Sequence, residues 1–152
     1  MKLILFQPDI PQNTGALLRL AACFGASVDI IGPLGYILDD QRLRRSGMDY
    51  IDQVEWKLHT SWGSFLAQNT ARLIVLTTKA SQIYYEHAFQ PEDGLILGRE
   101  SAGLPEEVHQ RADIRLRIPI QKTARSLNVS QAGAIVLAEA QRQLELLKNP
   151  RD

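Results

Sequence analysis

Short apolar runs alternate with amphipathic stretches along this chain. The runs read KLILF, VDIIG, RLIVLTT, GLILG and IRLRIPI. Most of them are continuously apolar, as is typical of strands covered on both faces of a parallel sheet. Helical periodicity fills the segments between them. The alternation predicts an α/β fold in which a mostly parallel sheet is flanked by helices.

The first and last helices have the clearest signals. NTGALLRLAACFG has an apolar face, with Asn13 as the expected N-cap and Gly25 as the expected end. Cys23 lies in the same apolar segment, so we expect it in the core. The last helix carries an apolar stripe formed by Val129, Ala132, Val136, Ala140, Leu144 and Leu147.

Composition narrows the class of protein. The 152 residues predict a single domain spanning 1–152, and 17 basic against 17 acidic residues leave no net charge. An electrostatic partner must therefore be met by a local patch. A single cysteine, no secretory leader and no membrane-length apolar run predict a soluble, cytoplasmic protein without a membrane partner. The scattered histidines do not have metal-ligand spacing, so no metal is expected: His59, His87 and His109.

Two loop-like stretches follow predicted strands, where open α/β sheets bind their ligands. The first, PDIPQNTGALLRLAACFG, contains Asn13 and Arg19, which alone are best read as a helix cap and a surface charge. The second, LGRESAGLPEEV, has Gly98 and Gly103 around Glu100. Its glycines permit a positive φ or a close backbone approach, and it is equally consistent with a tight turn or a site.

A third stretch, ARSLNVSQAG, leads into the last helix. One polar side chain suffices to cap a helix, yet Ser126, Asn128 and Ser130 alternate here with apolar residues. Gly133 costs the helix about 1 kcal/mol relative to alanine. This cost is easier to understand if another backbone or a ligand packs closely against Gly133. The stretch is therefore a candidate binding surface as well as a cap, with Ser130 expected to cap the helix.

A fourth stretch, DDQRLRRSGMDY, reads as a short charged helix with a compact basic patch. Arg42, Arg44 and Arg45 lie close together in it, with Tyr50 nearby. The patch is either an ordinary solvated helix face or a phosphate contact for RNA, with the tyrosine available to stack on a base.

IPQNTGALLRLAACFG, LILGRESAGLP and IPIQKTARSLNVSQAGAIVLAEAQRQL resemble, in order and spacing, the three signature motifs of the SPOUT RNA methyltransferases. The similarity runs over nearly the whole chain and is nearest to the small members without an appended RNA-binding domain. It implies a C-terminal deep trefoil knot, a homodimer and S-adenosylmethionine as cofactor. The implied reaction is 2′-O-methylation of the wobble ribose of tRNA, in particular of leucine tRNAs.

The resemblance also implies roles for individual residues. The catalytic set would be Arg19, Ser126 and Asn128. The cofactor would lie against the backbone around Leu76, Gly98, Ile118, Ser126 and Leu127, with Glu100 nearby. RNA would be bound by Asn13, Arg19, Arg42, Arg44, Arg45, Lys122 and Arg125.

A guanidinium is effectively always protonated, so Arg19 is interpreted as a phosphate clamp and orienting donor. An RNA phosphate or water then accepts the ribose proton. Two residues depart from the family pattern: Gln131 replaces an asparagine and Ala138 a tyrosine. Methylation of another tRNA or rRNA nucleotide, and a non-catalytic RNA-binding dimer, are the alternatives.

Overall fold

The computed structural model describes residues 1–38 and 51–144, with Ile51 described by its backbone only. Its strands form a parallel sheet in the order β3-β2-β1-β6-β4-β7-β5. Their bounds are β1 Lys2–Phe6, β2 Ser27–Ile31, β3 Trp56–His59, β4 Leu73–Leu76, β5 Gln82–Ile83, β6 Gly94–Leu97 and β7 Ile114–Arg117.

Helices lie between these strands and after the last of them. In the described part of the chain the α-helices are α1 Pro11–Phe24, α2 Trp62–Leu66, α3 Glu106–Arg111 and α4 Val129–Leu144. Short 3₁₀ turns cover Ile51–Gln53 and Tyr84–Glu86.

The sheet separates two hydrophobic layers. Because successive side chains of a strand point to opposite faces, Leu3 and Leu5 of β1 pack on one side while Ile4 and Phe6 pack on the other. The first side is covered by α1 and α4, and the second by α2 and α3. The α/β prediction is confirmed, with helices on both faces of a parallel sheet.

The predicted cap of the first helix is wrong. The helix and its cap begin three residues earlier, because Pro11 at the first helical position has the backbone φ that a helix requires and no N–H to satisfy. Ile10 is the N-cap and makes no side-chain cap bond, so Asn13 lies inside the helix and is buried. Gly25 does end the helix, in the left-handed conformation at φ 63°.

Two further expectations about the helices need correction. Asn128, rather than Ser130, caps α4, since its Oδ1 accepts the Ser130 N–H at 2.9 Å. Cys23 is exposed on α1 rather than buried in the core. The buried Gly133 has a packing reason, because an added Cβ would lie 2.8 Å from a methyl of Leu17.

The strands β3 and β5 at the two sheet edges were not predicted. The first has two exposed residues in the middle, Lys57 and Leu58, and the second has only two residues. The predicted helix over DDQRLRRSG lies outside the described residues. Among those described, no helix has the length and apolar character needed to cross a bilayer. The trefoil knot and the single domain over 1–152 stay predictions.

Candidate active site

A cavity of about 460 Å³ opens at the carboxyl ends of the central strands. It lies between the loops that follow β1, β4, β6 and β7 and the start of α4. This is the edge where parallel α/β sheets bind ligands, and the volume suits a drug-sized molecule. The apolar part of its wall includes Ile10, Leu76, Leu97, Leu104, Ile118, Ile120 and Leu127.

The loop after β6 approaches its own backbone closely. Gly103 has a φ of +67° and donates its N–H to the Arg99 carbonyl at 2.8 Å. At Gly98 an added Cβ would lie 2.8 Å from the Gly103 carbonyl carbon. The two glycines therefore serve different needs, one a left-handed turn and the other a close backbone approach, and both shape the cavity wall.

Polar side chains from three distant stretches meet beside this loop. Glu100 Oε1 accepts a hydrogen bond from Asn13 Nδ2 at 3.0 Å. Asn13 Oδ1 in turn accepts from Asn128 Nδ2 at 3.0 Å. These two hydrogen bonds thus connect three stretches of the chain: the one after β1, the one after β6 and the one that leads into α4.

The Glu100 loop is also tied to the loop after β1. The backbone N–H of Asp9 donates to Glu100 Oε2 at 3.0 Å, and the Glu100 N–H donates to Asp9 Oδ1 at 3.1 Å. Ser101 donates to Asp9 Oδ2 from both its N–H and its hydroxyl. Hydrogen bonds with Glu100, and then with Ser101, lower the pKa of Asp9 to about 2, so this carboxyl is ionised at neutral pH.

The loop after β2 packs on the same region. The Tyr36 hydroxyl donates to Thr14 Oγ1 at 2.7 Å, which attaches this loop to α1. Burial is the main cause that raises the pKa of Tyr36, and the charge of Glu100 adds to it. Tyr36 is therefore a neutral hydrogen-bond donor at physiological pH.

Many of the residues singled out in the sequence share the cavity. Those that line it are Asn13, Leu76, Gly98, Glu100, Ile118, Ser126, Leu127 and Asn128. Ser126, Leu127 and Asn128 are exposed in the loop before α4 and form part of the cavity wall.

The basic residues singled out for RNA are placed differently. Arg19 is exposed on α1, while Lys122 and Arg125 are exposed in the loop between β7 and α4, and none of the three lines the cavity. The predicted patch of Arg42, Arg44 and Arg45, with Tyr50, lies outside the described residues.

Sequence reasoning did not single out Asp9 or Tyr36. The available signal was that Asp9 follows a strand in the same stretch as Asn13, on an edge shared with the loop after β6. Neither residue has a distinctive spacing of its own. Within residues 1–38 and 51–144, no group of three potential ligands is arranged to hold a metal ion.

The sequence matches the SpoU rRNA Methylase family over residues 1–138, and the chain belongs to that family. The family resemblance found in the motifs is therefore confirmed. The parallel sheet with a cavity at its carboxyl edge is thus the scaffold of an RNA methylase family.

Individual relatives within and around the family show which proteins this chain is similar to. The chain is 50% identical over 153 residues, covering 99% of this chain and 96% of the relative, to a tRNA (cytidine(34)-2′-O)-methyltransferase of Beijerinckia indica. A solved structure giving insights into 2-OH methylation of C/U34 on tRNA is 40% identical, with a TM-score of 0.88, over 95% of this chain and 90% of that one. The AdoMet-bound rRNA methyltransferase of Sinorhizobium meliloti is 26% identical, with a TM-score of 0.84, over 94% of this chain and 56% of its own.

Proposed function

We propose that this chain transfers a methyl group from S-adenosylmethionine to the ribose 2′-hydroxyl of the wobble nucleotide, position 34, of tRNA. The observation that carries the proposal is the Glu100–Asn13–Asn128 connection at the edge of a ligand-sized cavity. Relatives with high identity over nearly the full chain bear the name of this reaction.

The residues present fit this cofactor. The cavity is of ligand size, and its apolar wall suits an adenine ring. The missing Cβ of Gly98 is the second indication, because any side chain there would displace the loop that forms the wall. The residues that would hold the cofactor are Leu76, Gly98, Ile118, Ser126 and Leu127, mainly through their backbone.

S-adenosylmethionine, when bound, supplies a methyl group on a positively charged sulfonium, so the donor needs little activation by the protein. The chain must orient the ribose hydroxyl and assist the loss of its proton. Asn128 directs one amide hydrogen to Asn13, and its second has no acceptor within the described residues. That hydrogen is suited to orienting the ribose oxygen, with Ser126 beside it.

Glu100 is not suited to be the base, because both of its oxygens already accept hydrogen bonds. Arg19, permanently charged, serves as a phosphate clamp and orienting donor. The proton therefore passes to an RNA phosphate or to water. Lys122 and Arg125, exposed beside the cavity, supply further phosphate contacts.

We further propose a homodimer. Two neighbouring stripes of exposed residues, on α1 and α4, contain few charges for a helix surface. They consist of Gln12, Ala16, Arg19 and Cys23 on α1, and of Gln131, Ile135, Ala138 and Arg142 on α4. A second copy docked there would lie beside Arg19 and complete the RNA site. Ala138, where the family usually has a tyrosine, makes a closer helix contact possible.

Sedimentation at micromolar concentration tests the dimer. Ala138→Glu is expected to give monomers with little activity, whereas Ala67→Glu, a charge added to an exposed residue on the other face of the sheet, should leave the dimer intact. A wild-type monomer that still methylated tRNA would refute the shared-site arrangement.

Methyl transfer to tRNA tests the function. The wild type is incubated with labelled S-adenosylmethionine and bulk tRNA from cells lacking this protein. The product should resist alkaline cleavage at position 34, and leucine tRNAs are the expected substrates. Asn128→Ala should abolish most of the transfer, and Gln110→Ala, an exposed amide on α3, should not. Methylation at another tRNA or rRNA position, or none at all, would contradict the proposal.

A further inference from the structure

We propose that Asp9 is a positioning residue for methyl transfer, which acts through Glu100 and Asn13 to fix the orientation of the Asn128 amide. This inference rests on the proposed function. Asp9 does not line the cavity, so its effect must be transmitted through its neighbours.

The first step is a reciprocal clamp between two loops. Asp9 and Glu100 are 91 residues apart, yet each donates its backbone N–H to the carboxylate of the other, at 3.0 and 3.1 Å. Ser101 adds an N–H bond to Asp9 at 3.3 Å and a hydroxyl bond to the same oxygen. Asp9 thereby holds the loop after β6 at Glu100 and Ser101.

Asp9 is itself held in place from the opposite side. The Gly35 N–H donates to the Pro8 carbonyl at 3.0 Å. A Cβ on Gly35 would lie 2.6 Å from the Cβ of Asp9, so the loop after β2 packs directly against this residue. Asp9 is therefore held on two sides, by the Glu100 loop and by the loop after β2.

The second step sets the orientation of two amides. A carboxylate can only accept hydrogen bonds, so Asn13 must turn its NH₂ group to Glu100 and its oxygen away. That oxygen accepts from Asn128 Nδ2, and Asn128 must then turn its own oxygen to the start of α4. There it accepts the N–H of Ser130 at 2.9 Å and the Ser130 hydroxyl at 2.6 Å.

A flip of either amide would place two acceptors, or two donors, face to face. If Asn128 turned over, its oxygen would face the Asn13 oxygen and its NH₂ would face the Ser130 N–H. The carboxylate of Glu100 at one end and the Ser130 N–H at the other thus fix the direction of these bonds. Asp9 determines where that carboxylate stands, and hence which face of Asn128 is offered to the ribose.

The test combines kinetics with a signal that does not depend on activity. Asp9→Ala should lower kcat at saturating tRNA about tenfold to a hundredfold, because a displaced donor misaligns the hydroxyl. Glu92→Ala, which removes an exposed carboxylate in the turn before β6, is the matched control. In an Asn128→Ala background, removing Asp9 should change kcat less than about twofold, since residues acting as one unit are not additive.

The Asn128 side-chain amide gives the second readout in nitrogen-15 spectra of the full chain. Its resonance pair is assigned by its loss in Asn128→Ala, and it should move in Asp9→Ala but not in Glu92→Ala. Asp9→Asn, which keeps the size of the side chain, should move the pair less in the same direction and provides the test if the alanine variant does not fold.

The outcomes separate the two proposals. A wild type that methylates no RNA refutes the proposed function. The amide spectra still show in that case whether Asp9 controls the orientation of the Asn128 amide. An active wild type with unchanged kcat in Asp9→Ala overturns the inference. So does an unmoved Asn128 resonance, or an Asp9 effect that multiplies in full with that of Asn128→Ala.

Discussion

The Gly98→Ala substitution isolates the cavity wall from the rest of the fold. The new Cβ would stand 2.8 Å from the Gly103 carbonyl carbon, 2.9 Å from Leu104 Cγ and 3.0 Å from the Gly103 oxygen. Two of these atoms belong to the backbone, so no side-chain rotation relieves the contact. The loop that carries Glu100 must move.

The size of the effect follows from the geometry. Ordinary contact begins at 3.4 Å, so the loop must shift by at least about 0.6 Å. Overpacking of this kind costs about 1–3 kcal/mol. Residues 101–103 are exposed, so the free protein can relieve the strain by moving the loop outwards. The cost should then appear when the cofactor requires the original position, as a loss of about 5- to 150-fold in affinity.

Calorimetric titration with S-adenosylhomocysteine measures the change in cofactor affinity, and thermal unfolding measures the change in stability of the free protein. Gly98→Ala should bind at least about fivefold more weakly, with little change in melting temperature. Gly63→Ala is the matched control, because its Cβ would meet only Ser61 Oγ at 3.9 Å. The same affinity for Gly98→Ala as for the wild type would refute the reasoning from close backbone approach.

The other predictions address ion pairs and charge. Asp93 is fully buried and accepts two bonds from Arg72, at 2.7 and 2.8 Å, so Asp93→Asn should lose about 3 kcal/mol in urea unfolding, and a loss below about 1 would contradict this. Burial, and then the charge of Arg72, lower the pKa of His87, so the folded state favours its neutral form. The contribution of His87 to the free energy of unfolding should therefore be complete above pH 6.5 and be lost as the pH falls through the folded pKa. His87→Gln should reduce this pH dependence of the free energy of unfolding, and an unchanged dependence would refute the assignment. Arg19→Lys should lower kcat/KM for tRNA without a new ionisation near neutrality in the pH–rate profile, whose appearance at normal folding and cofactor affinity would restore the arginine as a base.

Local chemistry made most of the fold predictable. The buried central strands are apolar runs, and Gly25 ends α1 where a residue with positive φ is needed. The edge strand β3 escaped prediction because it has only four residues and Lys57 interrupts its apolar pattern. The start of α1 was misjudged because Pro11, with no capping side chain, sets it two residues before Asn13.

The candidate site was only partly visible in the sequence. Ser126 and Asn128 could be singled out because their stretch has more polar side chains than a cap requires, whereas the stretch of Gly98 and Glu100 was equally consistent with a tight turn. Their family resemblance, but not their spacing, indicated a shared pocket.

The sequence by itself determined which residues could form strands, helices and turns, since periodicity and backbone preference act over a few neighbours. Only the tertiary structure decided what Asn13 does, because its partners Glu100 and Asn128 are 87 and 115 residues away. The same holds for Asp9, which has no distinguishing pattern until β1 and β6 pair and bring their following loops together. Hydrogen-bond direction depends on which groups meet, and chain folding alone determines those meetings.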